Sequence, residues 1–79
     1  MKKGIQLYRV EIGADGHMTC YGISKSGKEC VIPLTRTQRH LIRDYEDESF
    51  RENVISEFAY PNIFHPDFKI IKNGKVVYQ

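Results

Sequence analysis

Residues 8–34 read YRVEIGADGHMTCYGISKSGKECVIPL, and this stretch decides the fold because two turn signals separate three strand-like segments within it. The turn signals are Asp15-Gly16 and Ser26-Gly27, and a third, Asn73-Gly74, lies further along the chain. Such pairs between apolar segments are typical of β-hairpins with two-residue turns. We therefore predict a three-stranded antiparallel meander at the start of the chain and a β-hairpin near its end.

The two turns of the meander also predict its register. A two-residue turn at Asp15-Gly16 pairs Val10 with Tyr21, and one at Ser26-Gly27 pairs Tyr21 with Ile32. Because side chains alternate between the two faces of a strand, this register gathers eight mostly apolar residues on one face, which we expect helices to cover. The eight are Tyr8, Val10, Ile12, Tyr21, Ile23, Cys30, Ile32 and Leu34.

The remaining elements follow from local signals. Thr35 with Gln38 and Ser49 with Glu52 fit capping boxes, so two short helices are expected between the meander and the hairpin. Pro33 lacks an N–H donor, which predicts that the third strand is an edge strand and that the hairpin joins beside the first strand. The predicted fold class is α+β in the order β-β-β-α-α-β-β, with the helices on one face. The alternative is a small five-stranded OB-like barrel.

The composition is that of one small globular domain, which we place at residues 1–79. Of the 79 residues, 41% are hydrophobic and 28% are charged, and the formal net charge is +2. This balance differs from that of a disordered tail, and it lacks the strong basic excess of a dedicated nucleic-acid binder. The basic start Met1–Gly4 precedes residues too polar for a secretory signal, and no segment approaches the roughly 18 apolar residues that cross a bilayer. We expect a cytoplasmic location and no membrane partner.

The face opposite the predicted core is the first candidate surface. It is half apolar and surrounds Gly22, whose missing side chain leaves a flat spot. Left uncovered, it suits the docking of a partner protein or of a second copy. The alternative is that the C-terminal hairpin or the loop at 60–68 folds across it. The candidate partner-binding residues are Leu7, Arg9, Met18, Cys20 and Val31.

Basic residues open the first predicted helix and form the second candidate surface. Three arginines share one helical face beside the free N–H donors of the helix N-terminus, which attract phosphate or carboxylate. The alternative is a solvated face on which arginines pair with Asp44 or Asp47. The candidate anion-binding or nucleic-acid-binding residues are Arg36, Arg39, His40 and Arg43.

The loop at 60–68 is the third candidate, because it sets aromatic residues between Pro61 and Pro66. A rigid aromatic loop loses little entropy on binding. Such residues more often plug the open end of a small core, and we favour that interpretation for most of the loop. Phe64 and His65 are the residues that we expect to contact a partner.

The sequence contains no convincing constellation for chemistry. Neither a Cys-x-x-Cys nor a His-x-x-x-His spacing occurs, four of the ten acidic residues crowd into one exposed run at 44–48, and no glycine-rich phosphate loop is present. We predict no metal site, no cofactor and no enzymatic activity.

A small non-enzymatic protein-binding module is therefore the predicted function, acting by occupying a partner's surface. Accessory regulators and inhibitors carried by phages or other mobile elements are of this kind. The protein partner is unidentified, and the oligomeric state is monomer or homodimer. The alternative is a nucleic-acid-binding protein, with the basic helix start on phosphates and exposed aromatic residues stacked on bases.

Overall fold

The structure is a computed structural model that describes residues 4–79. Residues Met1–Lys3, whose two lysines make the start of the chain basic, lie outside the described residues. Seven elements follow one another in the predicted order β-β-β-α-α-β-β, which confirms the α+β class. They are β1 (Gln6–Ile12), β2 (Met18–Ile23), β3 (Glu29–Ile32), α1 (Arg36–Arg43), α2 (Phe50–Phe58), β4 (Phe64–Lys72) and β5 (Lys75–Tyr78).

The strands form one open sheet in the order β3-β2-β1-β4-β5. β3 lies at an edge, as Pro33 predicts, and the C-terminal hairpin joins beside β1. β4 runs parallel to β1, because α1 and α2 carry the chain back along the sheet before β4 begins, and the other neighbours are antiparallel. Since β3 and β5 lie at opposite edges and do not pair, the alternative of a closed OB-like barrel is wrong.

The first turn of the meander is one residue longer than predicted. The Gly16 N–H donates to the Gly13 carbonyl at 3.0 Å, and the Gly13 N–H donates to the His17 carbonyl at 2.9 Å. Gly16 has a φ of +84°, whereas Asp15 keeps a negative φ. This is a three-residue connection that ends in a left-handed glycine, rather than a two-residue turn.

The second turn has the same geometry. The Gly27 N–H donates to the Ser24 carbonyl at 2.9 Å, the Ser24 N–H donates to the Lys28 carbonyl at 3.0 Å, and Gly27 has a φ of +84°. A two-residue turn would require Ser26 to adopt a positive φ as well, which serine rarely does. Only Asn73-Gly74 forms the predicted two-residue turn, with φ values of +52° and +78°.

The extra residue in each turn shifts both pairings by one position. Val10 pairs with Cys20, and Cys20 pairs with Ile32. The prediction that Val10 and Tyr21 share a face is therefore wrong, because a slip of one residue turns every side chain of β2 to the other side. The β2 residues that face the helices are Met18, Cys20 and Gly22.

A bulge in β1 completes the core face of the sheet. The register of β1 shifts between Leu7 and Arg9, so that Leu7 and Val10 are both fully buried although they are three positions apart. Tyr8 and Tyr21, which were predicted to lie in the core, remain partly exposed. The core consists of Leu7, Val10, Ile12, Met18, Cys20, Ile32, Ile42, Phe50, Val54, Ile63, Phe68 and Ile70.

One of the two predicted helix caps is present. Thr35 and Gln38 form the capping box of α1, with the Gln38 N–H donating to Thr35 Oγ1 at 3.1 Å and the Thr35 N–H donating to Gln38 Oε1 at 2.9 Å. The capping box at Ser49 is wrong, because the Ser49 side chain makes no cap hydrogen bond. Asp47 takes its place, since its carboxylate accepts the Ser49 N–H at 2.8 Å.

Candidate interaction surface

The two helices pack on the core face, and no element within residues 4–79 covers the opposite side of the sheet. We call this side the outer face, and two cross-strand rows of side chains form its centre. Each row crosses four of the five strands. The first row contains Val31, Tyr21, Arg9 and Lys69, and the second contains Thr19, Glu11, Ile71 and Val76.

Apolar side chains of the outer face remain in contact with solvent. Val31 is 62% exposed and Val76 is 51% exposed, and both rank among the large apolar residues most open to solvent in residues 4–79. Tyr21 and Ile71 are partly exposed between them. Apolar side chains exposed among charged ones in this way are typical of surfaces that bind another macromolecule.

Arg9 lies at the centre of the outer face and is held from three sides. Its guanidinium carbon lies 4.2 Å from the centre of the Tyr21 ring. Its Nε lies 3.1 Å from a Glu11 carboxylate oxygen, and its Nη1 lies 3.5 Å from Glu29. The Nε atom is buried and makes no hydrogen bond, so the close approach to Glu11 is an ion pair without aligned donor geometry. These contacts fix the Arg9 and Tyr21 side chains before any partner arrives.

Tyr8 extends the outer face towards the start of β4. Its ring meets His65 edge-on with ring centres 5.1 Å apart, and Lys69 Nζ lies 5.1 Å from the centre of the same ring. A second tyrosine is thus held in place by a cation, as Tyr21 is by Arg9. Rings already fixed in this way lose little side-chain entropy when they are covered.

Three of the five residues predicted for partner binding are buried in the core instead. Leu7 is 0% exposed, Met18 8% and Cys20 2%, so their expected position on an open face is wrong. The cause is the register shift in β2 together with the bulge in β1. Arg9 and Val31 do lie on the outer face.

Cys20 illustrates the chemical consequence of this burial. Burial, together with the smaller effect of the neighbouring Cys30, raises the pKa of the Cys20 thiol to about 12. At neutral pH Cys20 is a protonated thiol packed against apolar side chains, which is not the state of a nucleophile. Both cysteines are free thiols.

Of the four residues in the predicted basic cluster, three are exposed to solvent and one makes a contact within the fold. Arg36, Arg39 and His40 are exposed at the start of α1, and no salt bridge involves them within the described part of the chain. Arg43 instead donates from Nη2 to the Gly16 carbonyl at 3.0 Å, which ties α1 to the first turn. Binding of an anion by the three exposed residues stays a prediction.

Phe64 and His65 belong to β4 and not to a loop, so that part of the prediction is wrong. The Phe64 ring packs against Phe68 at 4.9 Å and against Phe50 at 5.8 Å, with the Arg51 guanidinium 4.7 Å from its centre. The Phe64 ring therefore closes the core, which is the role that we expected of the other residues at 60–68. His65 points to the other side, where it contacts Tyr8.

Several outer-face residues were not predicted from the sequence, although one local signal would have identified Tyr21. A serine seldom adopts positive φ, so Ser26-Gly27 favours a three-residue turn, which places Val31 beside Tyr21. Ile71, Val76 and Lys69 carry no such signal. Their positions depend on the parallel pairing of β4 with β1, which links parts of the chain far apart in sequence.

Comparisons with known proteins do not assign a family to this fold and surface. No protein-family model, curated protein or solved structure matches the chain. Within residues 4–79, no group of three His, Cys, Asp or Glu side chains is arranged to hold a metal ion. Neither helix in the same range is long and apolar enough to span a membrane.

Proposed function

We propose that this protein is a small non-enzymatic protein-binding module that uses the outer face to occupy a partner's surface. The observation that carries the proposal is the open sheet face on which 62%-exposed Val31 adjoins the fixed pair of Arg9 and Tyr21. Tyrosine and arginine are enriched at the centres of protein interfaces, where a few such residues contribute most of the binding energy. An accessory regulator or inhibitor acts through a surface of this kind.

The charges of the outer face favour a protein over a nucleic acid. Arg9 and Lys69 are positive, whereas Glu11 and the adjoining Glu29 are negative, so the formal charges cancel. Binding of a nucleic acid needs a net positive surface, because its free energy comes largely from neutralised phosphates. Charges of both signs around apolar and aromatic residues are typical of the rim of a protein interface.

Replacement of Val31 by Glu is expected to weaken capture of the partner at least about tenfold, because an interface would desolvate the new carboxylate. The variant should fold, since Val31 is exposed at the sheet edge. The measurement is quantitative mass spectrometry of host proteins retained by the immobilised protein, followed by calorimetric titration of the purified partner. Ser56→Glu adds the same charge at an exposed position of α2 and is the matched control. Equal retention by the Val31→Glu variant and the wild-type protein, together with unchanged self-association, would contradict the proposal.

Nucleic-acid binding is the second candidate, and the exposure of Arg36, Arg39 and His40 supports it. We expect no change in the fluorescence anisotropy of a labelled single-stranded oligonucleotide at low ionic strength, where phosphate contacts are strongest. Binding that disappears when Arg36 and Arg39 are both replaced by Ala, and that persists with Val31→Glu, would replace protein binding by this second candidate.

A further inference from the structure

We infer that the outer face binds the outer face of a second copy of this chain, so that two sheets pack face to face in a symmetric homodimer. This inference rests on the proposed function and specifies its partner. Three features carry it: the area of the open face, the arrangement of its charges about β1, and the poor suitability of the sheet edges for pairing.

The area of the outer face meets the lower limit for a specific dimer. Five strands spaced about 4.8 Å apart make a face about 24 Å wide, and strands of about six residues make it about 20 Å long. The projected area is then roughly 480 Å² on each copy, or on the order of 1,000 Å² for the pair. Specific interfaces begin near about 1,000 Å². The dimer is thus expected at the weak end of the range, with a dissociation constant in the micromolar region.

The charges of the outer face are complementary to themselves. Arg9 and Glu11 lie two residues apart on β1, one in each cross-strand row. A two-fold axis parallel to the rows and midway between them places the first row of one copy over the second row of the other. Arg9 of each copy then meets Glu11 of the other, which gives two equivalent ion pairs. β1 is the central strand of the sheet, so the twist between packed sheets displaces these pairs least.

The apolar residues match under the same axis. Val31 of one copy lies over Pro33 of the other copy. Pro33 follows Val31 by two residues in the chain and is exposed. Tyr21 lies over Thr19, and the methylene groups of Lys69 lie over Ile71. The arrangement is an aligned sandwich of two sheets, in which each copy covers the exposed apolar side chains of the other.

The edges of the sheet are less suited to a partner than its outer face. At the β3 edge, Pro33 interrupts the backbone donors immediately after the strand. β5 contains four residues, and its register against β4 shifts between Ile70 and Ile71. Short, bulged or proline-bounded edges resist the addition of a strand. Pairing at either edge would also leave the exposed apolar side chains of the outer face in water.

The dimer is tested by sedimentation equilibrium of the purified full chain over a range of concentrations. We expect the wild-type mass to rise with concentration from 9.2 kDa towards twice that value. Arg9→Glu should weaken dimerisation at least about tenfold, because it places Glu11 of each copy opposite a second carboxylate. Combining Arg9→Glu with Glu11→Arg should restore the wild-type constant to within about threefold, since the pairs form again with reversed polarity. Ser56→Glu should dimerise as the wild type does.

Folding is a separate question for the Arg9→Glu variant, because Arg9 also contacts Glu11 and Glu29 within the chain. Circular dichroism shows whether the Arg9→Glu variant is folded. Val31→Glu is a second variant, which weakens the same interface but leaves the contacts of Arg9 with Glu11 and Glu29 in place. A wild-type protein that stays monomeric at millimolar concentration would overturn the inference. So would a dimer that tolerates both Arg9→Glu and Val31→Glu, because another surface would then form it. The proposed function fails separately, if neither capture of a host protein nor dimerisation depends on Val31.

Discussion

Cys20→Asp is expected to lower the free energy of unfolding by about 3–5 kcal/mol, whereas Tyr21→Asp is expected to lower it much less. Cys20 is 2% exposed among apolar side chains, and its neighbour Tyr21 lies on the outer face beside Arg9. An unpaired charge in a protein core costs about 3–5 kcal/mol. A domain of this size has a free energy of unfolding of roughly 4–12 kcal/mol. Urea denaturation followed by circular dichroism measures both variants.

The two substitutions form a matched pair, because they introduce the same side chain at adjacent positions of one strand. A carboxylate at position 21 remains near water and near the Arg9 guanidinium, so its cost should be limited to the lost ring contact. The register predicted from two-residue turns requires the reverse order, with Tyr21 in the core and Cys20 outside. Greater destabilisation by Tyr21→Asp than by Cys20→Asp would therefore refute the strand register described above.

Gly22→Val is expected to destabilise the protein by about 3 kcal/mol or more, and Gly22→Ala by about 1–3 kcal/mol. Gly22 faces the core, and a Cβ placed there would lie 2.8 Å from Cγ2 of Ile5 and 2.9 Å from Cγ1 of Ile32, with Ile32 Cδ1 closer still. Ile32 is buried beside its partner strand, so it has little room to move away. Chemical denaturation gives the free energies of unfolding.

A double-mutant cycle isolates the contact between Gly22 and Ile32. Ile32→Val removes Cδ1, the atom nearest to the added Cβ, so Gly22→Ala should cost less in the Ile32→Val background than in the wild type. Ile32→Val alone should cost about 0.5–1.5 kcal/mol. Additive effects of the two substitutions would show that Ile32 does not restrict position 22.

The candidate surface could be predicted only in part, for a reason that can be traced to particular residues. Arg9 and Val31 were placed correctly on an open face, because strands expose alternate residues and both lie away from the core. Met18 and Cys20 were misplaced by a single position of register, and Leu7 was misplaced by the bulge in β1. Their apolar character agrees with the core positions that they occupy. Alternation along β2 alone, however, does not show whether Met18 and Cys20 or Thr19 and Tyr21 face the core.

The order of the elements depends on local interactions, and the sequence by itself was sufficient to predict that order. The Asn73-Gly74 turn, the Thr35 cap and the edge position that follows from Pro33 depend on residues only a few positions apart. The tertiary structure decided which face of β2 meets the helices and which strand lies beside β1. At Asp15-Gly16 the local sequence is compatible with turns of two and of three residues, so the choice between them at that site depends on packing across the sheet. Gly22 packs closely against Ile5 and Ile32 only in the observed register. This contact joins separate segments of the chain, and no local turn or capping signal predicts it.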